Sequence, residues 1–267
     1  MPEAAPPELE VALGGNAERR GPFGATLHYF SEIGSTNDEA ARLAEAGAAE
    51  GTTVVASAQT AGRGRLGRSW FSPAGAGLYV SVIVRERRAA PLLTLAGGVA
   101  VAEGIRAATG LPVEIKWPND IVVDAGRGHR RKLAGILAEA STGPEGLQYV
   151  ILGFGINLLP TAYPLDLADS ATSLAAELGR SVDAGLVLAE CLGGIGDGVR
   201  DLASGNRQTV LDRWARLAPS ATGSRVECEG ARGVISGVTA GVAPDGSLLV
   251  RAGSHVEPIR SGQVRWL

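Results

Sequence analysis

The chain has 267 residues, 45% of them hydrophobic, and a formal net charge of −3. That is enough apolar material for a sizeable core in one or two domains, and the negative balance argues against bulk nucleic-acid binding. No apolar stretch reads as long enough to span a bilayer, and residues 1–7 have neither the basic region nor the apolar core of a secretory signal, so a cytoplasmic protein is expected.

Residues 1–24 are rich in Pro, Gly and Ala and read as a flexible lead-in that cannot house a DNA-binding domain. A short strand is predicted over 26–30. Ser35-Thr36-Asn37-Asp38 then resembles a helix start, with Ser35 as N-cap and acids in the first turn, and the helix ends near Gly47. A β-branched run over 52–58 predicts a strand that delivers Gln59 and then Gly62-Arg63-Gly64-Arg65-Leu66-Gly67-Arg68. Glycine lets backbone approach a ligand, and arginine offers planar donors matched to carboxylate or phosphate. Ordering seven such residues costs on the order of 10 kcal/mol in backbone entropy, so the free loop is expected to be mobile until a ligand supplies several acceptors at once.

Beyond the loop, 77–84 reads as a strand and 92–108 as a buried helix stopping at Gly110. Apolar runs at 113–117, 121–123, 132–139 and 147–158, separated by turn signals and a Gly/Arg-rich link, predict an antiparallel meander. Helices are predicted over 170–178, 186–202 and 209–217, the middle one weakened by Gly193, Gly194, Gly196 and Gly198. After residues 219–223 come strands at 225–229, 233–238, 247–251, 255–259 and 264–267, a pattern that suggests a small barrel.

Of 25 Lys plus Arg, only Lys116 and Lys132 are lysines, and they lie close together in Lys116-Trp117-Pro118-Asn119-Asp120 and Lys132-Leu133-Ala134-Gly135-Ile136-Leu137. A compact ammonium is either required there or fell there by chance. The Pro118-Asn119-Asp120 turn holds an amide and a carboxylate beside Lys116, which is either a site or ordinary turn chemistry. Gly153-Phe154-Gly155-Ile156-Asn157 lacks the third glycine of a dinucleotide fingerprint; it marks either a close approach to the strand or a bulge. Cys191 and Cys228 are isolated and read as buried thiols, the three histidines are scattered, and the carboxylates have no metal-cage or glycosidase spacing, so no metal site is expected. No nucleophile elbow is present.

Taken together, Ser35-Thr36-Asn37, Gln59, Gly62 to Arg68, Trp70, Lys116 to Asp120, Lys132 to Leu137, Gly153 to Asn157 and Ala171-Thr172-Ser173-Leu174 resemble the biotin protein ligase family in order and spacing. The resemblance covers about residue 26 to the end. It implies an α+β fold: a mixed β-sheet with flanking helices, similar to class II aminoacyl-tRNA synthetases, over 25–218, followed by an SH3-like domain over 219–267. It also implies that biotin and ATP, with Mg2+ on the ATP phosphates, give biotinyl-adenylate, which then acylates a lysine of a biotin carboxyl carrier protein such as that of acetyl-CoA carboxylase. That chemistry needs no covalent enzyme intermediate.

Carried over residue by residue, the resemblance places Ser35, Thr36, Asn37 and Gln59 on the biotin ureido ring. Arg63, Gly64 and Arg65 close over biotin and the phosphates, and Lys132 contacts the biotin carboxylate and α-phosphate. Arg68, Trp70, Lys116, Asn119 and Asn157 belong to the nucleotide, and Asp120 guides or deprotonates the acceptor lysine. Members of the family with an N-terminal winged helix also repress operons; here a ligase without DNA or membrane binding is expected, and a homodimer is allowed. The competing readings are a lipoate or octanoyl ligase, whose relatives lack the combined motifs, and a non-catalytic biotin or nucleotide sensor, which need not retain Lys132. An RNA-binding role for the Gly-Arg stretch is weaker, because such segments are long and disordered.

Overall fold

Alternation along the central strands decides which side chains meet the core and which face the site. The computed structural model describes residues 1–15, 17–126, 129–161, 163–165, 167–230, 233–262 and 264–267. Arg127 and Gly128 of the Gly/Arg-rich link lie outside the described residues. Strands β1 (Leu27–Phe30), β2 (Thr53–Ala56), β3 (Gly77–Val84), β4 (Glu114–Lys116), β5 (Asp120–Asp124), β6 (Arg130–Gly143) and β7 (Gly146–Asn157) form one sheet in the order β1-β2-β3-β7-β6-β5-β4. The β1–β2 pair is parallel and the rest are antiparallel, so the sheet is mixed and its β4–β7 part is the expected meander.

On one face, Leu78, Val80, Val82 and Val84 of β3 and Val150, Leu152, Phe154 and Ile156 of β7 enter the main core with α4 (Leu93–Thr109) and α6 (Ala184–Ala203). On the other, Ile83, Tyr149 and Ile151 join Val54, Ala56 and the alanines Ala40 and Ala44 of α3 (Thr36–Glu45) in a smaller cluster. This is the period-two rule of strands applied to a sheet covered on both sides.

The glycines expected to weaken α6 instead set how closely it packs. A Cβ on Gly194 would lie 2.9 Å from the Ala100 Cα of α4, and one on Gly104 would lie 2.8 Å from the Cys191 nitrogen. Residues Ala90–Thr109 are, contrary to the reading above, long and apolar enough to cross a bilayer, but 72% of that window is buried inside the fold, so it is a core helix. Cys191 and Cys228 are buried and free, as read from their spacing.

Two expectations are corrected. The lead-in over 1–24 is not a loose tail: α1 (Pro7–Gly15) and α2 (Ala17–Arg20) are helical, and Leu9, Leu13 and Phe23 are in the main core. Arg20 is buried with its guanidinium donating to the Leu13 and Phe23 carbonyls, while Arg19 pairs with Glu190 at 2.7 Å and Asp197 at 2.8 Å of α6. Composition hid this because only three large apolar residues, spaced for packing, do the anchoring. The helix predicted over 170–178 shrinks to α5 (Leu174–Leu178), capped by Ser173, whose hydroxyl accepts from the Ala176 N–H. Residues 170–172 run alongside β6 instead.

After α7 (Arg207–Leu217), strands β8 (Thr222–Gly230), β9 (Gly233–Val242), β10 (Leu248–Ala252), β11 (His255–Ile259) and β12 (Val264–Trp266) form an antiparallel sheet in the order β11-β10-β9-β8-β12. Val226, Cys228, Leu248, Val250 and Ile259 continue the main core, and Trp117 donates its indole N–H to the Gly246 carbonyl at 3.0 Å.

Because α1 is anchored rather than loose, Leu13→Ala should cost about 2–5 kcal/mol, the range for truncating a buried leucine. Chemical denaturation checks this; an unmoved midpoint would return residues 1–24 to the status of a tail.

Candidate active site

Three positions on the α3 side of the sheet carry no side chain. Gly135 of β6 sits opposite Gly155 of β7, and Gly153 lies two residues back along β7 on the same face, opposite Leu137. A Cβ on Gly155 would lie 2.5 Å from Trp70 Nε1, one on Gly135 would lie 2.9 Å from Trp70 Cζ3, and one on Gly153 would lie 2.2 Å from Asn37 Oδ1. The Gly-Phe-Gly-Ile-Asn pattern is thus a close approach: glycines toward a cleft, Phe154 and Ile156 toward the core.

The cleft has a volume of about 440 Å³ and is lined by Ser35, Thr36, Asn37, Gln59, Arg63, Gly64, Arg65, Arg68, Trp70, Lys116, Asn119, Asp120, Lys132 and Asn157 together. Every site residue named from the sequence is therefore in one place. It runs across the strands from β3 to Lys116 of β4, four strand spacings or about 19 Å.

At the β3 end the chemistry is neutral and polar. Ser35 occupies the N-cap of α3, yet its side chain makes no capping bond; Gln59 Oε1 accepts from the Thr36 N–H at 2.9 Å and from Thr36 Oγ1 at 3.1 Å. Gln59 Nε2 donates to Ser72 Oγ at 2.9 Å. Ser81, fully buried, donates within reach of Thr36 Oγ1 at 2.8 Å and of Asn37 Oδ1, and Asn37 Nδ2 donates to Glu139 Oε2 at 2.6 Å. Ser81 and Glu139 were missed in the sequence. Ser81 had a signal, a small hydroxyl flanked by valines in a buried strand; Glu139 had one only once β6 was placed in register.

At the β4–β6 end the chemistry is cationic. Lys132 Nζ lies 2.6 Å from Asp120 Oδ1 and 5.1 Å from the centre of the Trp70 ring. The backbone of Lys132 is held on both sides, its N–H donating to the Ser170 carbonyl at 2.7 Å and its carbonyl accepting from the Thr172 N–H at 2.9 Å. Asn157 Nδ2 donates to the Thr172 carbonyl at 2.9 Å, tying that segment to the end of β7. Asn119 Nδ2 donates to the Ile136 carbonyl at 2.8 Å, which holds the turn onto β6. Burial holds Lys116 below the ordinary lysine value; Asp120 opposes this, and Arg130 and Lys132 add to it. Burial likewise lowers Arg65, which remains charged, with Asp120 opposing.

The Gly-Arg loop is folded rather than open. Gly64 N–H donates to the Arg68 carbonyl at 2.7 Å and Trp70 N–H to the Gly62 carbonyl at 2.9 Å, closing a small hairpin around a 3₁₀ turn at Arg65–Gly67. Leu66 and Gly67 both take positive φ, 57° and 73°, and Leu66 is exposed at the tip. These bonds offset part of the ordering cost expected of a loose loop. Arg63 is met by Asp38 at 2.8 Å and Glu139 at 2.7 Å, and Arg65 approaches Asn119.

Similarity to known proteins agrees with this geometry. The profile of the biotin/lipoate A/B protein ligase family matches residues 29–157. The bifunctional ligase/repressor BirA of Bacillus subtilis is 34% identical over 262 residues, 96% of this chain and 78% of that protein. The biotin–[acetyl-CoA-carboxylase] ligase of Mycobacterium tuberculosis is 32% identical over 247 residues, 89% of this chain and 88% of that protein. The structure of biotin protein ligase from Aquifex aeolicus in complex with biotin and ATP superposes with a TM-score of 0.78 at 29% identity, covering 91% of this chain and 99% of that one.

A phosphate anion in the cleft favours the ammonium form of Lys116, so binding takes up a proton at alkaline pH. Pyrophosphate affinity should therefore fall as pH rises through the lowered Lys116 value, below the ordinary 10.5. The loss should be roughly tenfold, one charge-assisted bond. Calorimetric titration should show this limb in the wild type and its disappearance in Lys116→Arg.

Proposed function

The chain belongs to the biotin/lipoate A/B protein ligase family as a biotin ligase enzyme, and we propose that its cleft binds biotin and MgATP end to end, forms biotinyl-adenylate, and passes the biotinyl group to a lysine of a biotin carboxyl carrier domain. The observation that carries this reading is the division of one cleft into a neutral hydrogen-bonding end and a cationic end. Thr36 brings hydroxyl lone pairs, and Asn37 and Gln59 bring amide N–H groups, which complement the N–H and C=O of a cyclic urea. A lipoyl dithiolane has neither, and would offer no partner to the second N–H of each amide. Ser35, Thr36, Asn37 and Gln59 are accordingly assigned to the ureido ring.

The cationic end takes the nucleotide. Lys132, Arg63 and Arg65, with the Gly64 backbone, face the biotin carboxylate and the α-phosphate; Arg68, Lys116 and Asn119 serve the remaining phosphates, and Trp70 and Asn157 the nucleoside. In the first step a biotin carboxylate oxygen attacks the α-phosphorus, the bond to the β-phosphate breaks, and pyrophosphate leaves with Mg2+. Negative charge grows on the α-phosphate oxygens, where fixed cations lower the barrier. In the second step the acceptor amine attacks the acyl carbon, the C–O bond to AMP breaks, and Asp120 accepts the amine proton. A folded loop over the adenylate keeps water from that acyl carbon between the steps. Cations gathered in a cleft of about 440 Å³ serve a nucleotide rather than a DNA duplex.

Incubation with biotin, MgATP and a carrier domain should add the mass of one biotinyl group to its lysine, and Lys132→Ala should abolish transfer; no gain on any carrier domain would favour a non-catalytic sensor. Arg65→Gly should fold normally yet release the adenylate. Dialysis after loading with labelled ATP checks this, and retention as long as in wild type would contradict the assignment of Arg65.

A further inference from the structure

Glu139 stands outside the motifs, on the cleft face of β6 opposite Ile151 of β7. A single oxygen, Oε2, accepts from Asn37 Nδ2 at 2.6 Å and from Arg63 Nη2 at 2.7 Å. We propose that Glu139 is a positioning residue that orients Asn37 at the biotin end of the cleft and anchors the Gly-Arg loop through Arg63, so that pocket and loop turn on one carboxylate. The inference rests on the ligase reading for the identity of the ligand, and on geometry alone for the anchor.

A carboxylate only accepts hydrogen bonds, so it turns the NH₂ of Asn37 toward β6 and its carbonyl toward Ser81, which donates to it. With the Ser81 proton committed to Asn37, the Thr36 hydroxyl is free to donate to Gln59 Oε1, an acceptor already fixed by the Thr36 N–H, which leaves Gln59 Nε2 to donate to Ser72. The charge at Glu139 thus sets the direction of the Asn37 and Ser81 bonds, while the Thr36 N–H sets that of the Gln59 amide. Asn37 is buried, so an amide turned the wrong way would face an unpaired partner. An exposed ion pair by itself contributes little. Arg63, however, is held by two carboxylates from different elements, Asp38 of α3 and Glu139 of β6, and it sits at the start of a loop closed by its own backbone bonds.

The loop carries three tryptic sites, after Arg63, Arg65 and Arg68, which report its anchoring without any ligand. Glu139→Ala should nick there several-fold faster than wild type at an unchanged unfolding midpoint, and should weaken biotin binding about tenfold, the loss expected when a buried amide loses its fixed partner. Glu139→Gln keeps an acceptor for Asn37 but drops the charge facing Arg63. It should nick fast and yet recover most of the biotin affinity. Unchanged nicking in both variants would overturn the anchor, and equal loss of biotin affinity in both would overturn the orienting role. Should wild type bind no biotin, the ligase reading fails while the nicking comparison still decides the anchor.

Discussion

The site depends on the lack of a Cβ at three aligned strand positions. Side chains at residues 135, 153 and 155 would fill the space now taken by Trp70 and Asn37. Elsewhere on this face the same strands bury Tyr149, Ile151 and Ile83 against α3, so the cleft is the place where the smaller core stops and glycine takes over. A trough across a sheet has a rigid floor, because β3, β7, β6 and β5 are each hydrogen-bonded on both sides. Groups that act on a bound molecule benefit from standing on such a floor rather than on loops.

Onto that floor the fold brings charges of both signs. Lys132 meets Asp120, and Arg63 meets Asp38 and Glu139, so part of the positive charge is already balanced by carboxylates. Lys116 and Arg65 are different: among the described residues neither has an ion-pair partner, and burial works against their charge. An incoming polyphosphate relieves that cost, which is how a cleft in an acidic protein favours an anion. The two lysines of the chain are then no accident of usage, since both stand at the cationic end, where a compact ammonium fits beside Asp120.

Much of this was legible in order and spacing. β3, β7 and α4 lie within a residue or so of their expected ends, because uninterrupted aliphatic runs and the Gly110 stop leave little choice. The motif residues converge as expected, most of them at or near the end of a strand or helix and the rest on the loop between β2 and β3. What was hidden depends on partners far away in the chain. Leu9, Leu13 and Phe23 look unremarkable until α6 offers a glycine-rich surface to pack on, and residues 170–172 lose their helix because Lys132 supplies them with backbone partners. Ser35 keeps its predicted position without its predicted bond, and the Thr36 N–H is met by Gln59 from another segment, a partner that local sequence cannot reveal.

The buried tryptophan between Lys116 and Pro118 reaches with its indole N–H to the turn at Gly246 in the C-terminal sheet. Lys116 and Asp120 are thereby hung from a bracket whose far end is more than a hundred residues downstream in the chain. A lesion in the β9–β10 turn would then disturb Lys116 and Asp120 while leaving every side chain named in the cleft chemically intact. Seen this way, the C-terminal sheet is the abutment against which the working end of the cleft is braced.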